Sequence, residues 1–133
     1  MKFIFPLARV FFAAIFILSG LMSHLLNAHA MIGYAASSGV PMPEILVPLS
    51  GLIALAGGLS VLLGYKARWG AWLIVLFLAP VTLMMHKFWG VTDPQMALLQ
   101  QAMFLKNLSM LGGALLITQY GAGPVSIDEG AGK

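Results

Sequence analysis

Five side chains that could do chemistry lie in or beside long apolar stretches of the sequence. They are His24, Glu44, His86, Lys106 and Asn107. Imidazole, carboxylate, ammonium and amide groups donate or accept hydrogen bonds, and imidazole also binds metals and titrates near neutral pH. Such groups are costly in apolar surroundings unless they have a partner, so their presence predicts a binding site.

Three kinds of chemistry fit these residue types. Lysine and asparagine donors beside imidazole suit the oxygens of a quinone ring, while apolar helices would hold its isoprenoid tail. A proton relay through Glu44, His24 and His86 is a second option, although no spacing selects it. The third is reduced copper, which suits imidazole and thioether ligands; because methionine is also common filler in apolar cores, no metal ligand is assigned. The side chains that suit copper are His24, His86, Met22, Met84, Met85 and Met103.

The composition indicates what surrounds these residues. Of 133 residues, 60% are hydrophobic and 8% are charged, whereas soluble domains carry roughly a quarter charged residues. This excess predicts an integral membrane protein and argues against a soluble enzyme or a disordered segment. The net charge of +3 comes from scattered basic residues, so no basic run exists to follow the phosphates of a nucleic acid. With no cysteine in the chain, disulfides, thiolate metal sites and dithiol redox chemistry are excluded for this polypeptide by itself.

Four stretches have the length of membrane-spanning helices, which need about 20 mainly apolar residues. The predicted spans cover residues 3–26, 44–64, 69–86 and 98–118. Helices satisfy their own backbone hydrogen bonds in lipid, and short connections favour antiparallel neighbours. The sequence therefore predicts a single all-α domain, an integral membrane four-helix bundle that runs up-down-up-down.

Basic residues are distributed unevenly between the connections, and this sets the predicted orientation. Lys2, Arg9, Lys66, Arg68 and Lys133 share one side of the membrane under an even number of crossings, against Lys87 on the other. Both termini are therefore expected in the cytoplasm, with residues 119–133 as a cytoplasmic tail. Glycine and proline predict an outer loop over residues 27–43. A cleaved N-terminal signal is the alternative, because residues 28–30 resemble a small-residue cleavage site, but the preceding apolar run is longer than usual.

The antiparallel order places the polar residues at one end of the bundle. His24, Glu44 and His86 lie at outer span ends. Lys106 lies about eight residues into the fourth span, roughly 12 Å below its start. We therefore expect a ligand-binding site in the outer half, with Lys106 and Asn107 as donors. Arg9, near the cytoplasmic end, is expected to contact lipid phosphate.

Several stretches resemble the DoxX family of small four-helix bacterial membrane proteins. The likeness covers residues 9–20 with His24 after them, 39–43, 56–64, 86–89, 104–109 and 121–128. The family takes its name from a subunit linked to a terminal quinol oxidase and thiosulfate:quinone oxidoreductase. The resemblance thus implies a redox-linked or accessory role in the cytoplasmic membrane. Many relatives have an acid just before the paired glycines of the second helix, where this sequence has Ala54, so Glu44 is the one acid near a span.

The functional hypothesis combines these observations. It is an accessory or subunit of a quinone-linked redox system in the bacterial inner membrane, which binds a hydrophobic ligand in the outer half of the bundle. Its partners would be the lipid bilayer and either a membrane redox protein or further copies of itself. A non-enzymatic membrane scaffold or transport accessory is the main alternative, and a His/Met copper-binding membrane protein is another. A stand-alone enzyme is disfavoured because no bound cofactor can be inferred. Nucleophilic hydrolysis is also disfavoured, since no hydrolase elbow, zinc-protease motif or phosphate-binding loop is present.

Overall fold

The computed structural model describes residues 1–132, whose regular structure is entirely helical. Helix α1 (Ile4–Leu18) continues into a π-helical segment (Ser19–Leu26), followed by α2 (Ala28–Ser37), α3 (Pro43–Leu63), α4 (Ala67–Met85), α5 (Pro94–Tyr120) and α6 (Ile127–Ala131). The prediction of an all-α chain is confirmed over these residues. Lys133, the last residue of the predicted tail, lies outside the described part of the chain.

Within the described residues, three helices are long and apolar enough to cross a membrane. They are Ile4–Leu26, which joins α1 to the π-helical segment, Pro43–Leu63 and Ala67–Met85. Their bounds differ by at most two residues from the first three predicted spans. Helix α5 is longer than any of them but is not in this group, because polar side chains interrupt it. These are Gln100, Gln101, Lys106, Asn107 and Gln119.

The long helices pack as antiparallel neighbours. Helix α3 packs against α1 and the π-helical segment on one side and against α4 on the other, and α5 packs along α4. Helices α4 and α5 meet at both ends, since His86 bonds to Gln100 at one end and Arg68 lies beside Gly121 at the other. The core between the helices consists of Phe16, Ala54, Val61, Ala71, Ile74, Phe77, Leu78 and Ala114.

Glycine permits the closest approach between the first two long helices. A Cβ added to Gly20 would lie 2.7 Å from the carbonyl oxygen of Gly51, and one added to Gly51 would overlap the Cβ of His24. The two backbones are thus in direct contact, as is typical of membrane helices that pair through small residues. This contact fixes His24 against α3.

The predicted outer loop is partly helical, so that prediction was wrong for most of its length. Helix α2 occupies Ala28–Ser37, and Gly33 lies inside it with open space around its Cα. One glycine costs a helix only about 1 kcal/mol, and the alanines around it favour helix. The break comes later, at Gly39 with φ +84°, and Pro43 then begins α3.

Candidate functional site

The five side chains that were expected to share one site differ in how far they are exposed. His24 and Asn107 are 7% and 4% exposed, whereas Lys106 and Glu44 are exposed to the surroundings and His86 is half-buried. Adjacent residues of an α-helix point about 100° apart, so Lys106 and Asn107 cannot both face the core. The Lys106 Nζ instead contacts the Sδ of Met103 at 3.4 Å, outside the core. The ammonium therefore does not line a pocket with the buried histidine.

His24 lies in the π-helical segment with its ring held from two sides. Its Nδ1 lies 2.9 Å from the carbonyl oxygen of Ser19, and the ring meets Phe77 edge-on with the centroids 5.6 Å apart. A carbonyl oxygen can only accept, so Nδ1 carries the proton and Nε2 is left as an acceptor in the interior. Helical segments of the π type are rare and occur often at functional positions.

The buried hydroxyl of Thr82 was missed by the sequence analysis. Thr82 is 3% exposed, and its Oγ1 has no hydrogen-bond partner within the described residues. It lies on the core side of α4, one helical turn beyond Leu78, while Asn107 faces the core from α5. A hydroxyl within an apolar span is a signal that could have found it, because such groups need a partner in lipid. The core of this protein is thus not wholly apolar.

A chain of hydrogen bonds ties three helical segments together at the end of α4. His86 Nδ1 donates to Gln100 Oε1 at 3.0 Å, Gln100 Nε2 donates to the Tyr34 hydroxyl at 3.1 Å, and that hydroxyl donates to the Met85 carbonyl at 2.9 Å. We refer to His86, Gln100 and Tyr34 as the polar chain. Its direction leaves His86 Nε2 free to accept a further hydrogen bond. Tyr34 was not a predicted site residue, because α2 was expected to be a loop.

An apolar groove lies next to the polar chain, between α2, α3 and α4. Its volume is about 350 Å³. Met85 lines the groove and also supplies the carbonyl that ends the polar chain, while Ala35 follows Tyr34 directly in α2. We call this cavity the α2–α3–α4 groove. It is lined by Ala35, Val40, Leu46, Val47, Leu49, Ser50, Ile53, Leu76, Phe77, Pro80, Val81, Met84 and Met85.

Arg9 is buried at the opposite end of the molecule, where it binds main-chain carbonyl oxygens. The side chain is 6% exposed. Its Nη1 donates to Ala122 at 2.8 Å and Pro124 at 3.2 Å, its Nη2 donates to Val125 at 2.5 Å, and its Nε lies 3.4 Å from the Leu62 carbonyl. These protein acceptors occupy the guanidinium that was expected to meet lipid phosphate, and the lipid contact stays a prediction.

The segment that Arg9 binds is anchored a second time through Asp128. The two carboxylate oxygens of Asp128 accept hydrogen bonds from the backbone N–H groups of Lys66 at 2.7 Å and Ala67 at 2.9 Å. These are among the first N–H groups of α4, which have no partner within the helix and favour a negative charge. Residues 121–131 therefore fold back onto the α3–α4 turn.

The predicted copper option depends on whether side chains that can bind a metal lie close together. Between residues 1 and 132, no three His, Asp or Glu side chains are grouped closely enough to hold a metal ion. A copper site would therefore depend on methionine sulfur, and Met84 and Met85 both line the α2–α3–α4 groove. Copper stays a prediction.

Curated relatives of the chain come from two yeasts and a bacterium. Over 78 residues it is 30% identical to the ER-derived vesicles protein ERV29 of Saccharomyces cerevisiae, a match that covers 59% of this chain and 25% of that protein. It is 31% identical over 93 residues to the Surfeit locus protein 4 homolog of Schizosaccharomyces pombe, a match that covers 69% of this chain and 30% of that protein. The chain thus spans less than a third of the length of these two relatives. Identity to the inner membrane protein YqjF of Escherichia coli is 31% over 103 residues, which cover 73% of each chain.

No solved structure matches the chain. The family model of DoxX, in contrast, matches residues 5–87, from α1 through the end of α4. That region contains all three helices that are long and apolar enough to cross a membrane, together with the α2–α3–α4 groove. The match covers more than half of the sequence and agrees with the resemblance seen in its motifs. This chain is therefore a multi-pass membrane protein that belongs to the DoxX family.

Proposed function

We propose that this protein binds a membrane-soluble quinone and acts as an accessory or subunit of a quinone-linked redox system. One observation carries the proposal, namely that the α2–α3–α4 groove lies directly beside the polar chain. A quinone has the same division into an apolar tail and a ring with two oxygens. Ligand sites of this kind are mainly apolar, with a few polar groups that fix the orientation.

The groove supplies the apolar part of the proposed site. Ser50 is its one polar lining side chain, and the hydroxyl of Ser50 donates to the Val47 carbonyl at 2.8 Å. An isoprenoid tail can therefore fill the groove without removing water from any unpaired polar group, which would cost free energy. The groove lies toward the start of α3 and the end of α4, in the outer half of the proposed bundle.

The polar chain supplies the part that would meet the ring. His86 Nε2 can accept a hydrogen bond from a quinol hydroxyl, and after protonation the same nitrogen can donate to a quinone oxygen. Gln100 and Tyr34 hold the ring of His86 by fixing Nδ1. In this proposal His24 and Asn107 form a separate buried polar region, and Glu44 and Lys106 lie outside the quinone site.

We also propose that α5 crosses the membrane, so that the protein is a four-helix up-down-up-down bundle with both termini in the cytoplasm. The support is that α5 packs along α4 from His86 and Gln100 at one end to Arg68 and Gly121 at the other. A helix that accompanies a membrane span over its length shares its environment. The basic residues Lys66 and Arg68 would then lie on the cytoplasmic side, as the charge rule favours.

The quinone proposal is tested by blocking the groove. Leu49→Trp places an indole among the lining residues, and we expect it to lower the quinone bound per protein by about tenfold. Leu52→Trp is the matched control, because Leu52 is on the same helix with a similar exposure (54% against 46% for Leu49) but does not line the groove. Bound quinone is measured by mass spectrometry after extraction in a mild detergent.

A second variant separates the ring site from the tail site. His86→Phe is expected to weaken the binding of a short-chain quinone, which depends on the ring contacts more than on the tail. Protein that carries no quinone after extraction and also fails to bind an added short-chain quinone would contradict the proposal. If the Leu49→Trp and Leu52→Trp proteins bound equal amounts of quinone, the quinone would not lie in the α2–α3–α4 groove.

The proposed topology has its own test. A reporter that is active only in the cytoplasm, fused after Lys133, is expected to be active, and a fusion within residues 87–93 is expected to be inactive. Activity of both fusions, or of neither, would show that α5 does not cross the membrane. This result is independent of whether the groove binds a quinone.

A membrane scaffold or transport accessory is the second candidate. The name of one relative, the ER-derived vesicles protein ERV29, refers to vesicles, and this chain matches 25% of that protein. An extracted protein without quinone or metal would favour this candidate. Copper is checked on the same sample by elemental analysis, before and after addition of Cu(I).

A further inference from the structure

We infer that the outward face of α5 is an interface for a transmembrane helix of another protein that carries a carboxylate at the depth of Lys106. The inference goes beyond quinone binding and rests on the proposed passage of α5 through the membrane. It starts from a charged side chain that faces away from the core of a helix in the middle of its length.

The outward face of α5 differs from the outer surfaces of the three apolar spans. Its side chains are exposed, whereas Asn107, Ala114 and Thr118 of the same helix face the core. Its exposed side chains include polar and small residues beside leucines, and a Cβ added to Gly112 would meet nothing within 4 Å. We call this surface the α5 outer face, and its members are Gln101, Ala102, Leu105, Lys106, Ser109, Gly112 and Leu116.

Lys106 lies well inside the membrane in this arrangement. It is six residues inward from Gln100, which contacts His86 just beyond the end of α4; at 1.5 Å per residue this is about 9 Å. In the other direction, 14 residues or about 21 Å separate it from Tyr120, the last residue of α5. An ammonium at such a depth costs about 2.5 kcal/mol or more against lipid alone, and such residues normally face protein or water.

Within residues 1–132, no acid forms an ion pair with Lys106. The sequence has four acids in all. Asp128 and Glu129 bind backbone N–H groups at the opposite end, and Asp93 accepts from the Gln95 N–H at the start of α5. Glu44 lies in the first turn of α3, and the Lys106 Nζ donates its one hydrogen bond among the described residues to Met103 Sδ.

Charge complementarity selects an acidic partner over a second copy. Two copies that met through this face in an isologous contact would bring two lysines together, because the same patch serves both subunits. A carboxylate from another helix would instead pair with the ammonium in a region of low dielectric. Gln101 and Ser109 could then add hydrogen bonds across the interface, as polar side chains do between membrane helices.

The test uses a defined peptide in place of the unknown partner. The probe is a synthetic leucine helix with one glutamate about 9 Å from one end of its apolar stretch, the depth of Lys106, in phosphatidylcholine vesicles that contain the purified protein. Energy transfer is measured to a dye on Gly33→Cys, since the chain has no cysteine of its own and Gly33 is exposed. We expect this peptide to bind about tenfold more tightly than an all-leucine peptide.

Substitutions identify the residue responsible. Lys106→Leu is expected to remove the preference for the glutamate peptide, and Lys106→Glu is expected to prefer a peptide with lysine in place of that glutamate. Lys87→Leu, which removes a cation beyond the end of α4, is the control that should keep the wild-type preference. Circular dichroism checks that all variants retain the same helix content.

Three outcomes would overturn the inference. Equal binding of the glutamate peptide and the all-leucine peptide would show that the protein does not recognise the carboxylate. A preference for the glutamate peptide that persists in Lys106→Leu would show that Lys106 is not responsible for it. Self-association of the protein that the glutamate peptide does not displace would assign the face to a second copy. Each result can be obtained with or without quinone, so failure here is distinguishable from failure of the proposed function.

Discussion

Arg9→Met is expected to lower the free energy of unfolding by at least about 3 kcal/mol. The guanidinium donates to carbonyl oxygens of Ala122, Pro124 and Val125 from within α1. A hydrogen bond to a charged group contributes about 1.5–3 kcal/mol, and an acceptor left buried without a partner adds a penalty. Methionine fills similar space but donates nothing, so residues 121–131 lose their main attachment. Thermal unfolding in detergent, followed by circular dichroism, measures the loss.

The control for this prediction removes the same charge from a neighbouring surface position. Arg68 lies beside Gly121 and is exposed, so Arg68→Met should change stability by less than about 1 kcal/mol. Arg9→Lys should fall between the two, because an ammonium cannot reproduce the planar arrangement of the guanidinium donors. Equal stability of Arg9→Met and Arg68→Met would contradict the structural role of the buried cation.

Gly51→Val is expected to separate the first two long helices and to cost roughly 3 kcal/mol or more. Any Cβ at this position overlaps the Cβ of His24 and lies 3.1 Å from the Gly20 carbonyl oxygen. Neither obstacle can rotate away, because both are close to the backbone. The fraction of protein that remains monodisperse after heating, read by size-exclusion chromatography, gives the effect.

Gly112→Val supplies the matched control. It makes the same change within a long helix, but a Cβ at Gly112 meets nothing within 4 Å. The purified protein should therefore tolerate it with a change of less than about 1 kcal/mol. If both variants were equally unstable, the cause would be valine in the helix and not the close contact between backbones.

The positions of the helices could be predicted from the sequence better than the direction in which their side chains point. Long, mainly apolar runs place the first three spans to within two residues, since the length needed to cross lipid constrains them. Helix α5 begins at Pro94, four residues before its predicted start at residue 98, although Asp93 as cap and proline in the first turn are readable signals. The family resemblance is confirmed by the match over residues 5–87.

The candidate site was harder to predict because it depends on which way each helix is rotated. Lys106 and Asn107 are neighbours in the sequence, and nothing local indicates that the amide is buried and the ammonium exposed. The carbonyl acceptors of Arg9 are equally invisible, because backbone groups carry no residue-specific signal. The π-helical segment changes the direction of His24 without a glycine or proline to mark where it ends.

The attachment of Arg9 has a consequence for biogenesis. Its acceptor at Ala122 lies 113 residues later in the chain, and at 5–20 residues per second the ribosome needs roughly 6–23 seconds to reach it. For that interval the nascent N-terminal helix is in or near the membrane with an unsatisfied guanidinium. Insertion of this helix and its final folding are thus separate events, because the last step occurs only after the segment that contains Ala122 has been translated.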